Sequence, residues 1–243
     1  MKISFSTYTD KGDREINEDS LRIVNSGEKY CFILCDGLGG HGKGDLASSF
    51  VTEHLAKAFT ETDSTEAFYD NALNDAQNAL LDEQKRIGAQ FEMKTTAVML
   101  VIENEHFRYQ FIGDSRIYHF RNGKVSERSL DHSVPQMLAL AGDIKEKKIR
   151  KHPDRNRLLR VMGVKWEASR YETSELNEIK PGDAFLLCSD GFWEPITEKE
   201  MCKLLKKSST AEEWLYLMSE RVKSNGAGTD MDNNSAVAVL VTE

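Results

Sequence analysis

The sequence predicts an α+β fold in which a sheet-on-sheet core is clad by helices. Three observations lead there. Short apolar runs with extended periodicity recur along the chain, bounded by Gly, Asn and Pro turn residues. Stretches with helical spacing come in pairs, one pair after Gly44 and one near the C-terminal end. Grouped strands with paired helices suit α+β layers better than alternating βαβ units. Finally, three apolar runs stop on an aspartate beside a glycine: Phe32-Ile33-Leu34-Cys35-Asp36-Gly37, Phe111-Ile112-Gly113-Asp114 and Phe185-Leu186-Leu187-Cys188-Ser189-Asp190-Gly191. A buried strand that ends on a carboxylate delivers it to the rim of a sheet, and glycine lets the backbone turn there.

Taken in order, Lys2–Thr9 alternates Ile3 and Phe5 with polar residues and reads as a half-exposed strand. Asp10–Asp19 is polar and reads as a loop. Leu21–Val24 and Tyr30–Cys35 read as strands, with Ser26-Gly27-Glu28 turning between them. The glycine-rich Gly37–Gly44 precedes a helix over Asp45–Phe59, with Leu46, Phe50, Leu55 and Phe59 on its inner face. A second helix spans Thr65–Ile87, with Phe68, Ala72, Ala76, Ala79 and Leu80 facing inward and Gly88 as its stop. Thr95–Ile102, His106–Ile112, Ile117–Arg121 and Lys124–Ser129 read as consecutive antiparallel strands, the last two joined by an Asn122-Gly123 hairpin turn. His132–Ala141 reads as a short helix. Gly142–Arg170 is basic and poor in apolar residues before Leu158-Leu159, and reads as a mobile excursion from the body. Tyr171–Leu176 and Ala184–Ser189 are strands around a Pro181-Gly182-Asp183 turn. Two helices come next, each opened by a capping-box pattern, Thr197 with Glu200 and Thr210 with Glu213. Ser235–Val241 closes the chain as a strand.

The 243 residues suit one large domain or two small ones. A net charge of −8 argues against nucleic acid or an anionic membrane as the main partner. Cys31, Cys35, Cys188 and Cys202 form no C-x-x-C pair and read as reduced core residues rather than zinc ligands. No run approaches the ~18 apolar residues of a membrane span, and the N-terminus has no signal-peptide core. The expectation is a soluble, cytoplasmic protein.

A fourth acidic segment, Asp230-Met231-Asp232-Asn233-Asn234, leads into the apolar run Ala236–Val241. Four carboxylate-bearing segments at one rim would repel strongly unless cations sat among them. Carboxylate oxygens without histidine or thiolate partners select Mg²⁺ or Mn²⁺ over Zn²⁺. Two such ions ~3.5–4 Å apart hold and acidify a bridging water and stabilise in-line displacement at phosphorus. The pattern therefore points to a metal-dependent hydrolase. Arg14, in the polar loop before Asn17-Glu18-Asp19, is a planar, permanent cation suited to bidentate phosphate binding.

Those residues also resemble a known family, the metal-dependent protein phosphatases of the 2C type (PPM/PP2C). Gly12-x-Arg14-x-x-Asn17-Glu18-Asp19-Ser20 resembles its first motif. Asp36-Gly37-Leu38-Gly39-Gly40-His41, followed by Gly44-Asp45 and Ala47-Ser48, resembles the second. Gly113-Asp114-Ser115-Arg116, Asp131-His132-Ser133, Ser189-Asp190-Gly191 and Asp232-Asn233 come after them in the family's order. The resemblance runs from about Gly12 to the end. It implies a single domain over residues 1–243, with a central antiparallel β-sandwich flanked by pairs of helices and a flap at about 142–170. It also implies a binuclear Mn²⁺ or Mg²⁺ centre that hydrolyses protein phosphoserine and phosphothreonine by direct attack of a bridging water or hydroxide. By that resemblance Asp36 bridges the metals, the Gly37 carbonyl ligates one, and Asp190 and Asp232 hold the other. Glu18 acts through a metal-bound water, and Asp114 matches the ligand of a third, weaker metal in bacterial members. Asn17, Asp19, Asp45, Asp131 and His132 read as supporting or capping residues, and Trp193 as packing near the rim.

Two departures stand out. Leu38 replaces a histidine that some members carry after the metal-binding glycine, proposed as general acid, so the leaving alkoxide must take its proton from water or another group. His41 reads as a turn-stabilising residue. At the C-terminal motif, Asn234 stands where an apolar residue is usual, which leaves Asp230 as a rival to Asp232. The implied partners are phosphorylated proteins and a cognate Ser/Thr kinase, acting with a monomeric, stand-alone bacterial enzyme. The alternatives are a catalytically weak phosphoprotein-binding module, a phosphatase of a small phosphorylated molecule, and a phosphatase opposing an anti-sigma-factor kinase.

Overall fold

The computed structural model describes every residue except Gly40, His41, Asp63 and Ser169. The reading of His41 therefore lies outside the described residues. Strands β1 (Lys2–Asp10), β2 (Asp19–Ser26) and β3 (Lys29–Asp36) lead into two long helices, α1 (Gly44–Glu61) and α2 (Thr65–Ile87). Next come β4 (Ala97–Glu103), β5 (His106–Ile112), β6 (Arg116–Arg121) and β7 (Lys124–Arg128). Helix α3 (Val134–Ala141) precedes a 3-10 turn over Glu146–Lys151. The chain closes through β8 (Glu172–Thr173), β9 (Asn177–Glu178), β10 (Ala184–Cys188), α4 (Asp190–Trp193), α5 (Glu198–Leu205), α6 (Ala211–Gly226) and β11 (Asn234–Thr242).

The strands form two antiparallel sheets. One runs β1-β11-β10-β6-β7, the other β2-β3-β4-β5-β8, with β9 also on β5. Alternation explains why the central strands read as unbroken apolar runs. In β3, Phe32 and Leu34 point between the sheets, beside Val98, Leu100, Phe185, Leu187, Val237 and Val239. Cys31, Ile33 and Cys35 point the other way, under Val51, Leu55, Phe68, Leu73 and Leu80 of α1 and α2. The opposite sheet repeats this with Leu186 and Cys188 under Trp193, Trp214 and Met218. The layer order is helix–sheet–sheet–helix, as the sequence predicts. All four cysteines are free.

Helix ends obey local chemistry. Ser64 accepts from Ala67 N to open α2, and Gly88 closes it in the left-handed region at φ 69°. Thr197 and Glu200 form a reciprocal capping box at α5. Asn122 and Gly123 both have positive φ, 55° and 67°, as a two-residue hairpin turn requires.

Several expectations need correction. The buried face of α1 is Ala47, Ser48, Val51, Thr52, Leu55 and Phe59, whereas Leu46 is exposed. The shift arises because small polar Ser48 and Thr52 pack on β2, which hydrophobicity alone does not reveal. The four middle strands are not one meander. β4 pairs β5 and β6 pairs β7, but Gly113-Asp114-Ser115 carries the chain across to the other sheet. Tyr171–Leu176 holds only the two-residue β8; pairing with β5 breaks off and resumes with β9 at Asn177–Glu178. The 142–170 region, expected as a mobile excursion, is anchored to the body at two points. Ile149 and Met162 are buried, and Met162 pairs with Thr95 as an isolated bridge. The short α4 was not legible, since four residues carry no period.

One buried ion pair ties β6, at the far side of that crossing, to the segment between β7 and α3. Arg116 meets Asp131 bidentately at 2.7 and 2.6 Å, with both side chains at most 2% exposed. Its guanidinium also lies 3.4 Å over the Trp193 ring. Removing one partner of such a pair strands a charge in low dielectric. Asp131→Ala is therefore expected to destabilise the fold by about 3–5 kcal/mol in urea unfolding, and the Arg116→Met/Asp131→Leu double variant to recover most of that. An Asp131→Ala loss within about 1 kcal/mol would contradict this role.

Candidate metal centre

Four separated segments reach one rim of the paired sheets. Asp36 ends β3, Asp114 lies just past β5, Asp190 opens α4 directly after β10, and Asp232 precedes β11. The loop after β1 adds Arg14 and Glu18. A cleft of about 750 Å³ is lined by all of these together with Gly37, Leu38, Lys94, Asn156 and Asn233. Every residue singled out in the sequence as a metal or phosphate candidate, apart from the rival Asp230, thus lines one cleft.

The backbone around Asp36 is held tightly. Asp36 N donates to Thr96 Oγ1 at 3.0 Å, while its carbonyl accepts from Thr96 N at 2.8 Å and Thr95 Oγ1 at 2.9 Å. Thr96 Oγ1 lies 2.7 Å from Ser115 Oγ, tying this clamp to the turn that carries Asp114. Gly37 is needed for close approach: a Cβ there would sit 2.3 Å from the Gly44 carbonyl oxygen. Glu18 turns its carboxylate toward the backbone N–H groups of Gly44 and Gly39. Asn233 pins the loop bearing Arg14 and Glu18. Its Oδ1 accepts from Glu18 N at 2.8 Å, and its Nδ2 donates to the Lys11 and Ile16 carbonyls at 3.0 and 2.9 Å. Asn234, out of place in sequence terms, accepts from Tyr8 OH at 2.9 Å and donates to the Asp232 carbonyl at 3.0 Å.

Electrostatics mark the cleft as short of positive charge. Loss of water, then the charges of Asp19, Asp190, Asp114 and Asp232, hold the Asp36 carboxyl well above the usual range. Burial, then Asp190 and Asp131, do the same to Asp114. Asp190 is pushed up to about 6 by burial and then by Asp232. Asp19 is pushed up to about 7 by burial, which outweighs hydrogen bonds from Ser189 and Ser235. Asp19 also leaves Oδ1 buried with no partner among the described residues. Sequence reasoning gave Asp19 only a supporting part. Its register opposite Asp36 on β2 was the signal, readable only once the strand pairing is known.

Arg14 is not free in this arrangement. Its Nε and Nη2 donate to Asp232 Oδ1 and Oδ2 at 3.0 and 3.1 Å, and its Nη1 to Asp230 Oδ2 at 3.1 Å. This also separates the two rivals: Asp232 lines the cleft, whereas the Asp230 side chain is 77% exposed outside it. Among the described residues, no three acidic, histidine or cysteine side chains close on one point as a ready cage. The donor set still fits a hard divalent cation: oxygen ligands, mutual repulsion and an orphaned carboxylate oxygen.

Residues 11–233 match the family described as Protein phosphatase 2C. The chain belongs to that family. Among curated relatives of this PP2C chain, a serine/threonine phosphatase stp of Listeria innocua is 28% identical over 226 residues, covering 90% of this chain and 89% of that protein. Among solved structures, serine/threonine phosphatase Stp1 from Staphylococcus aureus superposes with a TM-score of 0.90 at 27% identity, covering 100% of this chain and 96% of that one. The catalytic domain of the phosphatase PstP, solved with two manganese ions, superposes at 0.82 with 25% identity, covering 99% of each chain.

The raised carboxyls fix a pH dependence for the metal-free PP2C chain. Asp19 and Asp190 bind protons more tightly folded than unfolded. Their contribution to stability is present below the unfolded value of ~4 and is lost as pH rises through about 6 to 7. The Tm of chelated protein is therefore expected to fall by several degrees across that window, with Mn²⁺ restoring most at the upper end. A metal-free Tm that rises from about pH 4.5 to 7.5 would contradict this account.

Proposed function

We propose that the chain is a metal-dependent protein serine/threonine phosphatase. The observation that carries this is the meeting, in one cleft of a PP2C fold, of Asp36, Asp114, Asp190 and Asp232 from four distant segments. Asp36 sits among the other carboxylates and is suited to bridge two Mn²⁺ or Mg²⁺ ions. Asp190 and Asp232 would hold one ion, the Gly37 carbonyl would complete the other, and Asp114 would serve a third, weaker site. Glu18, held by two backbone N–H groups, would act on a metal through water. When bound, the ions supply Lewis acidity and lower the pKa of the attacking water.

The chain's own side chains do the rest. Arg14 leaves Asp232 and Asp230 to take the phosphate oxygens in its planar fork. Asn233 keeps that loop in place. Leu38 offers no proton, so the leaving alkoxide would take one from water or another group. Retention of the full acidic set disfavours a non-catalytic binding module. The reading extends to a single domain over residues 1–243 with a flap at about 142–170. It also extends to phosphorylated protein substrates opposed by a cognate kinase, a monomer and a cytoplasmic setting. No helix among the described residues is long and apolar enough to cross a membrane.

Purified protein with Mn²⁺ is expected to hydrolyse an aryl phosphate and phosphoserine peptides, and chelation to abolish both. Asp36→Asn should cut kcat by about a thousandfold or more, while circular dichroism stays native. A folded wild-type protein without metal-dependent turnover would defeat the assignment. Arg14→Ala is expected to raise KM for phosphopeptide about tenfold with a smaller change in kcat. Unchanged constants would remove Arg14 from substrate binding.

A further inference from the structure

Beside the catalytic cleft lies a second hollow, of about 480 Å³, between the end of α2, the 88–94 loop and residues 163–165. Leu81, Phe91 and Val164 supply its apolar wall, and Lys85, Lys94 and Lys165 ring it. Phe91 is 87% exposed, the most exposed large apolar side chain among the described residues. A single exposed ring is ordinary, but one set against an apolar hollow marks a contact surface.

The hollow is preformed. Buried Gln84 donates through Nε2 to the Met93 and Gly163 carbonyls at 2.6 and 2.8 Å. Gln77 accepts from Gly163 N at 2.9 Å and donates to the Val164 carbonyl at 2.5 Å. Gly163 has φ +84°, and a Cβ there would lie 2.1 Å from the Met93 oxygen. Both walls are thereby fixed to α2 and to each other, so little order is lost when a ligand arrives.

The hollow is also continuous with the site. Lys94 lines both, and its carbonyl accepts from Leu38 N at 2.8 Å, directly after Gly37. Its charge is available. Lys85 is paired with Asp82, but Lys94 and Lys165 form no ion pair among the described residues. The nearby acid, Glu92, is taken by Lys43 at 2.9 Å.

We propose that this hollow docks a segment of the substrate protein that carries a large apolar side chain flanked by acidic residues, while the phosphorylated residue occupies the cleft. The inference rests on the phosphatase reading. The apolar side chain covers Phe91, Leu81 and Val164, and the acids answer Lys94 and Lys165. Apolar contact sets affinity, and the lysines favour acidic over basic flanks.

The test uses acidic phosphoserine peptides in which one Leu is scanned along either side of the phosphoserine, each paired with its Ala counterpart. Wild-type protein with Mn²⁺ is expected to favour Leu at one position by about tenfold in kcat/KM, the equivalent of burying one such side chain. Phe91→Ser, a surface change, should bring that ratio close to one. Lys165→Glu should reduce the preference for acidic over basic flanks. Aryl phosphate hydrolysis is run in parallel. If aryl phosphate is turned over but Leu and Ala peptides are equal at every position, or the preference survives Phe91→Ser, the docking inference is overturned and the phosphatase stands. If no substrate is turned over with Mn²⁺, the phosphatase reading falls and docking with it. Loss of a wild-type dimer in Phe91→Ser, seen by sedimentation with equal peptide kinetics, would assign the hollow to self-association instead.

Discussion

Mutual repulsion among Asp19, Asp36, Asp114 and Asp190, in a place with little water, sets the terms for everything around the cleft. Left alone, these groups would spread or take up protons. The fold limits spreading by holding Asp36, Asp19 and Asp114 in place. Thr95 and Thr96 clamp Asp36, Ser189 Oγ donates to Asp19 at 2.8 Å, and Trp193 Nε1 donates to the Asp114 carbonyl at 3.0 Å. What cannot relax geometrically must be relieved by charge, and divalent cations are the relief that the oxygen donors suit.

The outer supports answer the same demand. Arg116 pairs with Asp131 beneath the crossing that carries Asp114, and stacks on Trp193. Arg150, on the 3-10 turn, donates to the Trp193 carbonyl and to Glu198, the latter at 2.5 Å. Trp193 therefore touches Asp114 through its indole and the 142–170 region through its carbonyl. A buried ion pair is weak evidence for net stability, since desolvation offsets most of its attraction. Its use here is positional: two sheets, one short helix and one turn are held in fixed relation at the rim.

Much of this was legible because it rests on local rules. Asp-Gly at the end of an apolar run marks a strand that stops at an edge, and three such runs located three of the cleft's carboxylates. The layer order could be read from antiparallel strands with helices grouped in pairs. What stayed hidden depended on pairing across the chain. Nothing local says that β5 and β6 part at Gly113, and so the four middle strands looked like one ribbon. The inner face of α1 was misplaced because Ser48 and Thr52 are buried through hydrogen bonds, with Ser48 Oγ donating to the Glu18 carbonyl at 2.5 Å, rather than through hydrophobicity. Asp19 read only as a supporting residue and Asn233 only as part of the last motif, until strand register put Asp19 opposite Asp36 and a hydrogen bond put Asn233 under Glu18. The basic 142–170 stretch looked like a mobile excursion because charges dominate it before Leu158-Leu159, yet Ile149 and Met162 are each buried against a different layer.

Arg14 shows how the cleft reconciles two occupants. Without metal, its guanidinium is the near cation for Asp232 and Asp230. Both sides of the Asp232 pair are 42% exposed, so solvent screens it and its worth is about 0–1 kcal/mol. A contact that weak would yield if, as proposed, a divalent ion were held at Asp232. Once displaced, Arg14 would remain tethered by the loop that Asn233 holds. Asp230, 77% exposed and outside the cleft, fits a resting partner for the guanidinium better than a metal ligand. On the proposed reading, the acid that holds Arg14 in the metal-free protein is also a metal ligand, so a metal bound there would free the guanidinium for phosphate.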